Sequence, residues 1–226
     1  MEPNYTIVYS KRKTLNITVE RDRSVVVRAP EGTDPQKIRH AVESKHLWIY
    51  EKIRHPQKYQ GIPHPPGKEL VSGESMLYLG RNYRIDLVED DHEGVRFANK
   101  FIVSKTTLSR ARQWFRDWYI AKAKEKIVPK ARYHANNMGV EYDKVLISDL
   151  KYRWGSCTPK DNLNFNWRLI KAPMFVIDYV IVHELAHLME SNHTAQFWNI
   201  IEAQLPGSQK AKDWLKEHGA ILEESF

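Results

Sequence analysis

The hydrophobic positions of the first hundred residues occur in short runs, interrupted by charged or turn-forming residues. The runs YTIVY, TLNITVE and SVVVRAP are rich in β-branched residues and predict the strands of an antiparallel meander. Asp34 is a suitable N-cap for a helix that begins at Pro35 and continues to about residue 53. A segment rich in proline and glycine follows at 54–69, and three more strand-like runs follow it, MLYLG, YRIDLVE and VRFANKFIVS.

In the second half of the chain the apolar residues recur at the longer spacing that is typical of helices. Apolar residues recur at helical intervals from Thr106 to Met138, although Pro129 is expected to kink or split this segment. Trp114, Phe115, Trp118 and Tyr119 belong to it, and their spacing favours core packing over a platform for stacked bases. Two strands are predicted by KVLISDL and NLNFNWRL, and further helices at 173–190, 194–204 and 208–218.

This order, strands first and helices second, predicts an α+β fold. We expect an antiparallel β-rich N-terminal module with one helix over residues 1–105. A mainly helical module is expected over residues 106–226.

Composition narrows the class of protein. No apolar run approaches the roughly 18 residues of a membrane helix, and the first residues lack the apolar core of a secretory signal. The single cysteine, Cys157, cannot form an internal disulfide, so we expect a protein of the reducing cytoplasm with no membrane partner. Lysine and arginine number 35 against 28 acidic residues, which indicates a solvated basic surface or a polyanionic partner such as a nucleotide or nucleic acid.

The stretch VIVHELAHLMESNH carries the clearest chemistry in the chain. His183 and His187 lie one helical turn apart, so both side chains can reach one ion, and Glu184 projects beside them. This is the HExxH arrangement of zinc hydrolases. Neutral imidazoles suit zinc, and the glutamate is the expected general base that takes a proton from water.

A catalytic zinc site needs a third protein ligand, and His193 is the preferred candidate. On an unbroken helix His193 would point away from His187, so the helix must end between them, and Ser191 and Asn192 favour such an end. Glu202, from the next helix, is the rival ligand. The pattern differs from that of metzincins, because Glu190 stands at their glycine position and no methionine turn follows.

Several stretches of the chain resemble a known family. KYRWGSC and NFNWRLIKAPMFVIDYVIVHELAHLMESNHTAQFW, together with SKRKTLNITV, VVVRAP and LYLGRNYRI near the start, resemble the YgjP-like zinc metallopeptidases, relatives of the SprT-like proteases. The resemblance implies a zincin-like catalytic domain behind a β-rich N-terminal part. It implies one zinc ion held by His183, His187 and His193 and Glu184 as the general base. Members are classed as peptidases by fold and motif, so a polypeptide is the leading expectation for the substrate. Some members are assigned instead as pyrophosphatases of UTP.

Three functions therefore stay open. The leading one is zinc-dependent hydrolysis of peptide bonds. The second is a nucleoside triphosphate pyrophosphatase, in which Arg12, Lys13 and Arg153 would hold phosphates. The third is a basic nucleic-acid-associated protein with structural zinc, which a site with an open position argues against.

The roles of the remaining candidates are less determined by the sequence. Arg153 would stabilise an oxyanion of the substrate near the metal, or else pair with a buried acid while Trp154 fills the core. Cys157 is expected to be a small buried residue rather than a ligand or nucleophile. Tyr179 and Tyr152 are possible oxyanion donors.

Overall fold

The computed structural model describes residues 4–20, 23–54, 70–150 and 153–223. The chain divides into two compact units, Met1–Pro65 and Pro66–Phe226. Both contain strands and helices, and the second holds the candidate site.

The first unit is a three-stranded sheet with two helices. Its elements are β1 (Tyr5–Ser10), β2 (Asn16–Val19), β3 (Val25–Pro30), α1 (Pro35–Ser44) and α2 (His46–Arg54). The sheet order is β1-β3-β2, with β2 antiparallel and β1 parallel to β3. The expected antiparallel meander is therefore corrected to a mixed sheet. The reason lies in β3, whose Val25, Val27 and Ala29 are all buried, so that it takes the central position with a partner on each side.

The helix expected from Pro35 to about residue 53 is two helices, which divide at Lys45. Asp34 caps the first one, because its carboxylate accepts a hydrogen bond of 2.9 Å from the backbone N–H of Gln36. Ile38, Val42 and Ile49 point inward from the two helices and complete a small aliphatic core with the sheet.

The second unit contains two sheets and four helices among the residues described. Its elements are β4 (Ser75–Tyr78), β5 (Arg81–Val88), β6 (Arg96–Phe97), β7 (Phe101–Ser104), a 3-10 turn (Lys105–Arg110), α3 (Ala111–Met138), β8 (Val145–Ser148), β9 (Gly155–Cys157), β10 (Leu163–Asn166), a second 3-10 turn (Trp167–Lys171), α4 (Met174–Ala186), α5 (Ala195–Gln204) and α6 (Gln209–Leu222). The sheet orders are β4-β5-β7-β6 and β8-β10-β9, and together these elements confirm the predicted α+β class.

Helix α3 runs as one helix through Pro129 and ends at Gly139, which has the left-handed φ of 66° typical of a helix end. The expected split at Pro129 does not occur. A buried residue at every fourth position, from Phe115 and Tyr119 onward, keeps one face of α3 packed on both sides of the proline. Phe115 and Tyr119 are completely buried, which confirms the core interpretation of these two aromatic residues.

The expected domain boundary after residue 105 lies inside the second unit. Ile85, Phe101 and Val103 of the β4–β7 sheet belong to the same hydrophobic core as the buried faces of α3 and α4. The hydroxyl of Tyr119 donates a hydrogen bond of 2.8 Å to the backbone oxygen of Leu77, which ties α3 to β4. The second sheet module is thus part of the helical unit.

The short sheet β8-β10-β9 places β9 beside the candidate site. Its central strand β10 is parallel to β8 and antiparallel to β9. Strand β9 is therefore an edge strand, and it packs against α4. None of the helices in the described segments has the length and apolar character to cross a membrane.

Candidate metal centre

Helix α4 carries His183 in a mostly apolar environment, and His187 is the C-cap residue that follows its last turn. Val176, Ile177, Ile181 and Leu185 are buried, so the helix is held on several sides by the core. Its last residue is Ala186, and the expected end at residue 190 is replaced by a turn in which the Glu190 N–H donates to Ala186 O at 2.9 Å. A buried helix of this kind fixes its side chains closely.

The turn after α4 returns the chain to the same face of the helix. Thr194 then caps α5, since its side chain accepts a hydrogen bond of 3.3 Å from the backbone N–H of Phe197. The structure brings His183, His187 and His193 together, with one ligand atom of each within 4.8 Å of the others. The Nε2 atoms of His183 and His193 are 3.1 Å apart.

The charge state of the cluster fits a divalent metal. Burial lowers the pKa of His183 to about 3, and the nearby charges of His187, His193 and Lys212 act in the same direction. Burial and the charge of His187 also lower the pKa of His193. Neutral imidazoles offer nitrogen lone pairs at pH 7, and two nitrogens bound to one zinc ion lie about 3–4 Å apart. The Nδ1 of His183 is buried without a hydrogen-bond partner in the described chain, so packing rather than hydrogen bonding orients this ring.

The ring of Phe197 lies against all three imidazoles. It is completely buried, and its centroid is 5.0 Å from that of His183, 4.6 Å from His187 and 4.7 Å from His193. His187 is also oriented by a contact of 3.3 Å between its Nδ1 and the backbone oxygen of Glu190. A proton on that nitrogen leaves Nε2 as the metal-binding atom.

Glu184 points to the other side, toward β9. Its carboxyl group is buried and accepts a hydrogen bond from the backbone N–H of Cys157. A Cβ atom at Gly155 would lie 2.6 Å from Cγ of Glu184, so only glycine leaves room for this side chain. Burial raises the pKa of Glu184 to about 7, against the lowering effects of the Cys157 N–H and the charge of Arg153.

Strand β9 and the contact of Gly155 with Glu184 were missed by the sequence reasoning. The available signal was a glycine inside the RWGSC run, because a glycine within a strand often marks close approach of another group.

Arg153 is exposed and lies two residues before strand β9 begins at Gly155. It has no acidic partner among the residues described, whereas its charge lowers the pKa of Glu184. The expected alternative, a pair with a buried acid, stays a prediction, because the Arg153 charge acts on Glu184, itself a buried acid. Trp154 is half-buried and packs on the main core. The other two phosphate candidates, Arg12 and Lys13, belong to the first unit.

The rival residues have other roles in the structure. The carboxylate of Glu202 accepts hydrogen bonds from the Gly207 N–H at 2.8 Å and the Ser208 hydroxyl at 3.0 Å, and it is outside the histidine cluster. Burial, together with the charges of Glu184 and Asp161, raises the pKa of the Cys157 thiol, which disfavours a thiolate nucleophile.

Tyr179 is the tyrosine candidate that the structure places near the cluster. Its ring is buried, with its centroid 5.9 Å from that of His183. Burial and the charge of Glu184 raise its pKa to about 12, so the hydroxyl remains a hydrogen-bond donor. Tyr152 lies outside the described residues.

Comparison with known proteins gives one family match and two partial structural similarities. The metallopeptidase zymogen of Pyrococcus abyssi abylysin is 21% identical, with 44% of this chain and 98% of that chain covered and a TM-score of 0.38. The metallopeptidase zymogen of Methanocaldococcus jannaschii jannalysin is 19% identical, with 42% and 97% covered and a TM-score of 0.38. Curated protein sequences gave no match. The model of the YgjP-like metallopeptidase domain matches residues 13–218, and the chain therefore belongs to the YgjP-like family.

Proposed function

We propose that this protein is a zinc-dependent metallopeptidase that hydrolyses peptide bonds, with His183, His187 and His193 as zinc ligands and Glu184 as the general base. The observation that carries the proposal is the convergence of three imidazoles within 4.8 Å of one another beside a buried carboxyl group. Three protein ligands leave the open position that catalysis requires. Family membership supports the same reaction class.

The proposed chemistry divides between the metal and the chain. Bound zinc would polarise the substrate carbonyl and lower the pKa of water. Glu184 takes a proton from the attacking water and donates it to the amine that leaves. Burial raises the pKa of this carboxyl group above its ordinary value, and a proton carrier is most efficient when its pKa lies near the operating pH.

Strand β9 is the proposed docking edge for the polypeptide. Among the strands of the described residues it pairs with β10 alone, and its Cys157 N–H already contacts Glu184. An extended segment added to this edge would bring its peptide bonds past the carboxyl group through main-chain hydrogen bonds. Arg153, exposed beside that edge, is proposed to bind the developing oxyanion.

A nucleoside triphosphate pyrophosphatase of the UTP type is the alternative. It is favoured by Arg153, which lies close enough to lower the pKa of Glu184 and has no acidic partner in the described segments. A guanidinium group suits phosphate oxygens. The nucleic-acid-associated protein with structural zinc has weaker support, since structural sites use four protein ligands.

The decisive experiment compares the zinc-loaded wild type with Glu184→Gln on two substrate panels, an unstructured polypeptide and the nucleoside triphosphates. Proteolysis that falls by about 10²–10⁴-fold in the variant while zinc content stays at one ion supports the peptidase. Nucleotide hydrolysis with the same dependence on Glu184, and no proteolysis, would replace it with the alternative. Proteolysis that persists in the variant would remove Glu184 from the mechanism.

A further inference from the structure

The three candidate ligands are held in different ways. His183 is packed within buried α4, and His187 is oriented by its contact with the Glu190 backbone oxygen. His193 lies outside any helix and is exposed. Its Nδ1 forms no hydrogen bond with the residues that the structure describes. A ligand without such support loses rotational freedom when it binds a metal, so something else must fix its plane.

Besides the edge-on contact with Phe197 at 4.7 Å, that support comes from Trp198. The indole and the imidazole of His193 are nearly parallel, with an interplanar angle of 23° and ring centroids 5.6 Å apart. Trp198 belongs to α5, which is capped by Thr194 and anchored in the core by Phe197 and Ile201. The stack therefore links the exposed ligand to a fixed helix.

A cation on α6 holds the indole in turn. Nζ of Lys212 lies 4.0 Å from the centroid of the Trp198 ring, within the range of a cation–π interaction. Lys212 has no acidic partner in the described part of the chain, so the ring is the contact that orients its ammonium group. The indole is thus restrained by α5 through the backbone and by α6 through Lys212.

We propose that Trp198 is a positioning residue for the metal, holding the plane of His193 so that its Nε2 points at the atoms offered by His183 and His187. Lys212 assists by fixing the indole. The inference rests on the proposed function only in taking His193 as a zinc ligand. In many zinc sites a hydrogen bond to the second imidazole nitrogen fixes the orientation of the ring, and in this proposal ring stacking takes its place.

The test measures zinc affinity by competition with a chromophoric chelator, which requires no substrate. Trp198→Phe and Trp198→Leu both fill the space, but only Phe keeps a planar ring for His193. We expect Leu to weaken zinc binding by about 10-fold or more, and Phe to retain most of the affinity. Trp114→Leu is the matched control, because Trp114 also lies under a cation, Arg110 at 5.5 Å, but makes no ring contact with the histidines.

Cobalt substitution supplies a signature that a general loss of stability would not produce. The visible spectrum of cobalt-loaded Trp198→Leu should shift toward that of His193→Ala, while the apo proteins unfold at similar temperatures. Lys212→Ala should weaken binding more than Lys212→Met, which keeps the apolar stem over the ring. If Lys212 acted only through its charge, both variants would bind zinc more tightly, because a positive charge near the site repels a zinc cation.

Two results would overturn the inference. One is Trp198→Leu binding zinc as tightly as Trp198→Phe and the wild type. The other is a cobalt spectrum of Trp198→Leu identical to that of the wild type. A wild type that binds no zinc would reject the proposed function itself, whereas a wild type that binds zinc and hydrolyses peptide bonds, with an indifferent Trp198→Leu, would reject only the positioning role.

Discussion

Helix α4 carries Glu184 and strand β9 packs against it, and the two elements contribute to the candidate site in different ways. Helix α4 and its C-cap residue contribute side chains, namely the imidazoles of His183 and His187 and the carboxyl group of Glu184. Strand β9 contributes the backbone N–H of Cys157 and the space at Gly155, where a Cβ atom would lie 2.6 Å from Cγ of Glu184. The position of the proposed general base therefore depends as much on the missing side chain at Gly155 as on Glu184 itself.

The largest expected effect comes from the α4 side. His187→Ala removes an imidazole whose ring lies 5.1 Å from that of His183 and 4.8 Å from that of His193. We expect loss of stoichiometric zinc, measured by elemental analysis after dialysis, and loss of all metal-dependent hydrolysis. His218→Ala is the control, because this histidine contacts Trp214 on α6 instead. Full zinc content in His187→Ala would reject the ligand assignment.

The next effect comes from the β9 side. Gly155→Ala would place a Cβ atom 2.6 Å from Cγ and 2.7 Å from Oε1 of Glu184. The carboxyl group must move, and misplacement of a catalytic group by about 1 Å can lower the rate by roughly 10²-fold. We expect kcat to fall by that order while zinc content stays unchanged. Overpacking is expected to lower the free energy of unfolding by about 1–3 kcal/mol.

Gly219→Ala is the matched control for this change. A Cβ atom there would lie 3.7 Å from Cζ2 of Trp154, an ordinary contact distance. Normal turnover is expected for this variant. Equal activity of Gly155→Ala and Gly219→Ala would show that the close approach of β9 is irrelevant to Glu184.

A smaller effect is expected at the exposed end of the β9 segment. Arg153→Ala should keep zinc and folding but lower kcat/KM, by about 10²-fold if the guanidinium binds an oxyanion as other oxyanion donors do. Arg132→Ala, an exposed arginine on α3, should change nothing. Loss of folding in Arg153→Ala, seen by circular dichroism, would instead assign this arginine a structural role.

The same contrast explains what the sequence could reveal. The spacing of His183, Glu184 and His187 is local, since one turn of an apolar helix fixes their relation, and the need for a turn before His193 followed from helix geometry. The contact of Gly155 with Glu184 joins distant parts of the chain, so the glycine of the RWGSC run could signal a close approach but not its partner. The position of β1 beside β3, and the shared core of the β4–β7 sheet with α3, are also long-range pairings.

The smallest expected effect concerns stability, and it tests how α4 is anchored to α3. The carboxylate of Asp178 contacts Lys130 Nζ at 2.8 Å and His134 Nε2 at 2.9 Å, both on α3. Burial raises the pKa of Asp178, but the hydrogen bonds with His134 and Lys130 outweigh it and leave the pKa lowered. Asp178→Asn should lower the free energy of unfolding at pH 7 by about 1.5 kcal/mol and leave zinc affinity unchanged.

The effect of Asp178→Asn on the free energy of unfolding should depend on pH. A carboxyl group with a lowered pKa in the folded state stabilises the fold above its unfolded pKa of about 3.9, and this contribution disappears as the pH falls through the folded value. The gap in unfolding free energy between wild type and Asp178→Asn should therefore narrow below about pH 4. Asp213→Asn is the control, since Asp213 accepts only from Gln209 within α6 among the described contacts. A gap that stays constant down to acid pH would mean that the charge of Asp178 does not anchor α4, and that the apolar core alone holds the helix in place.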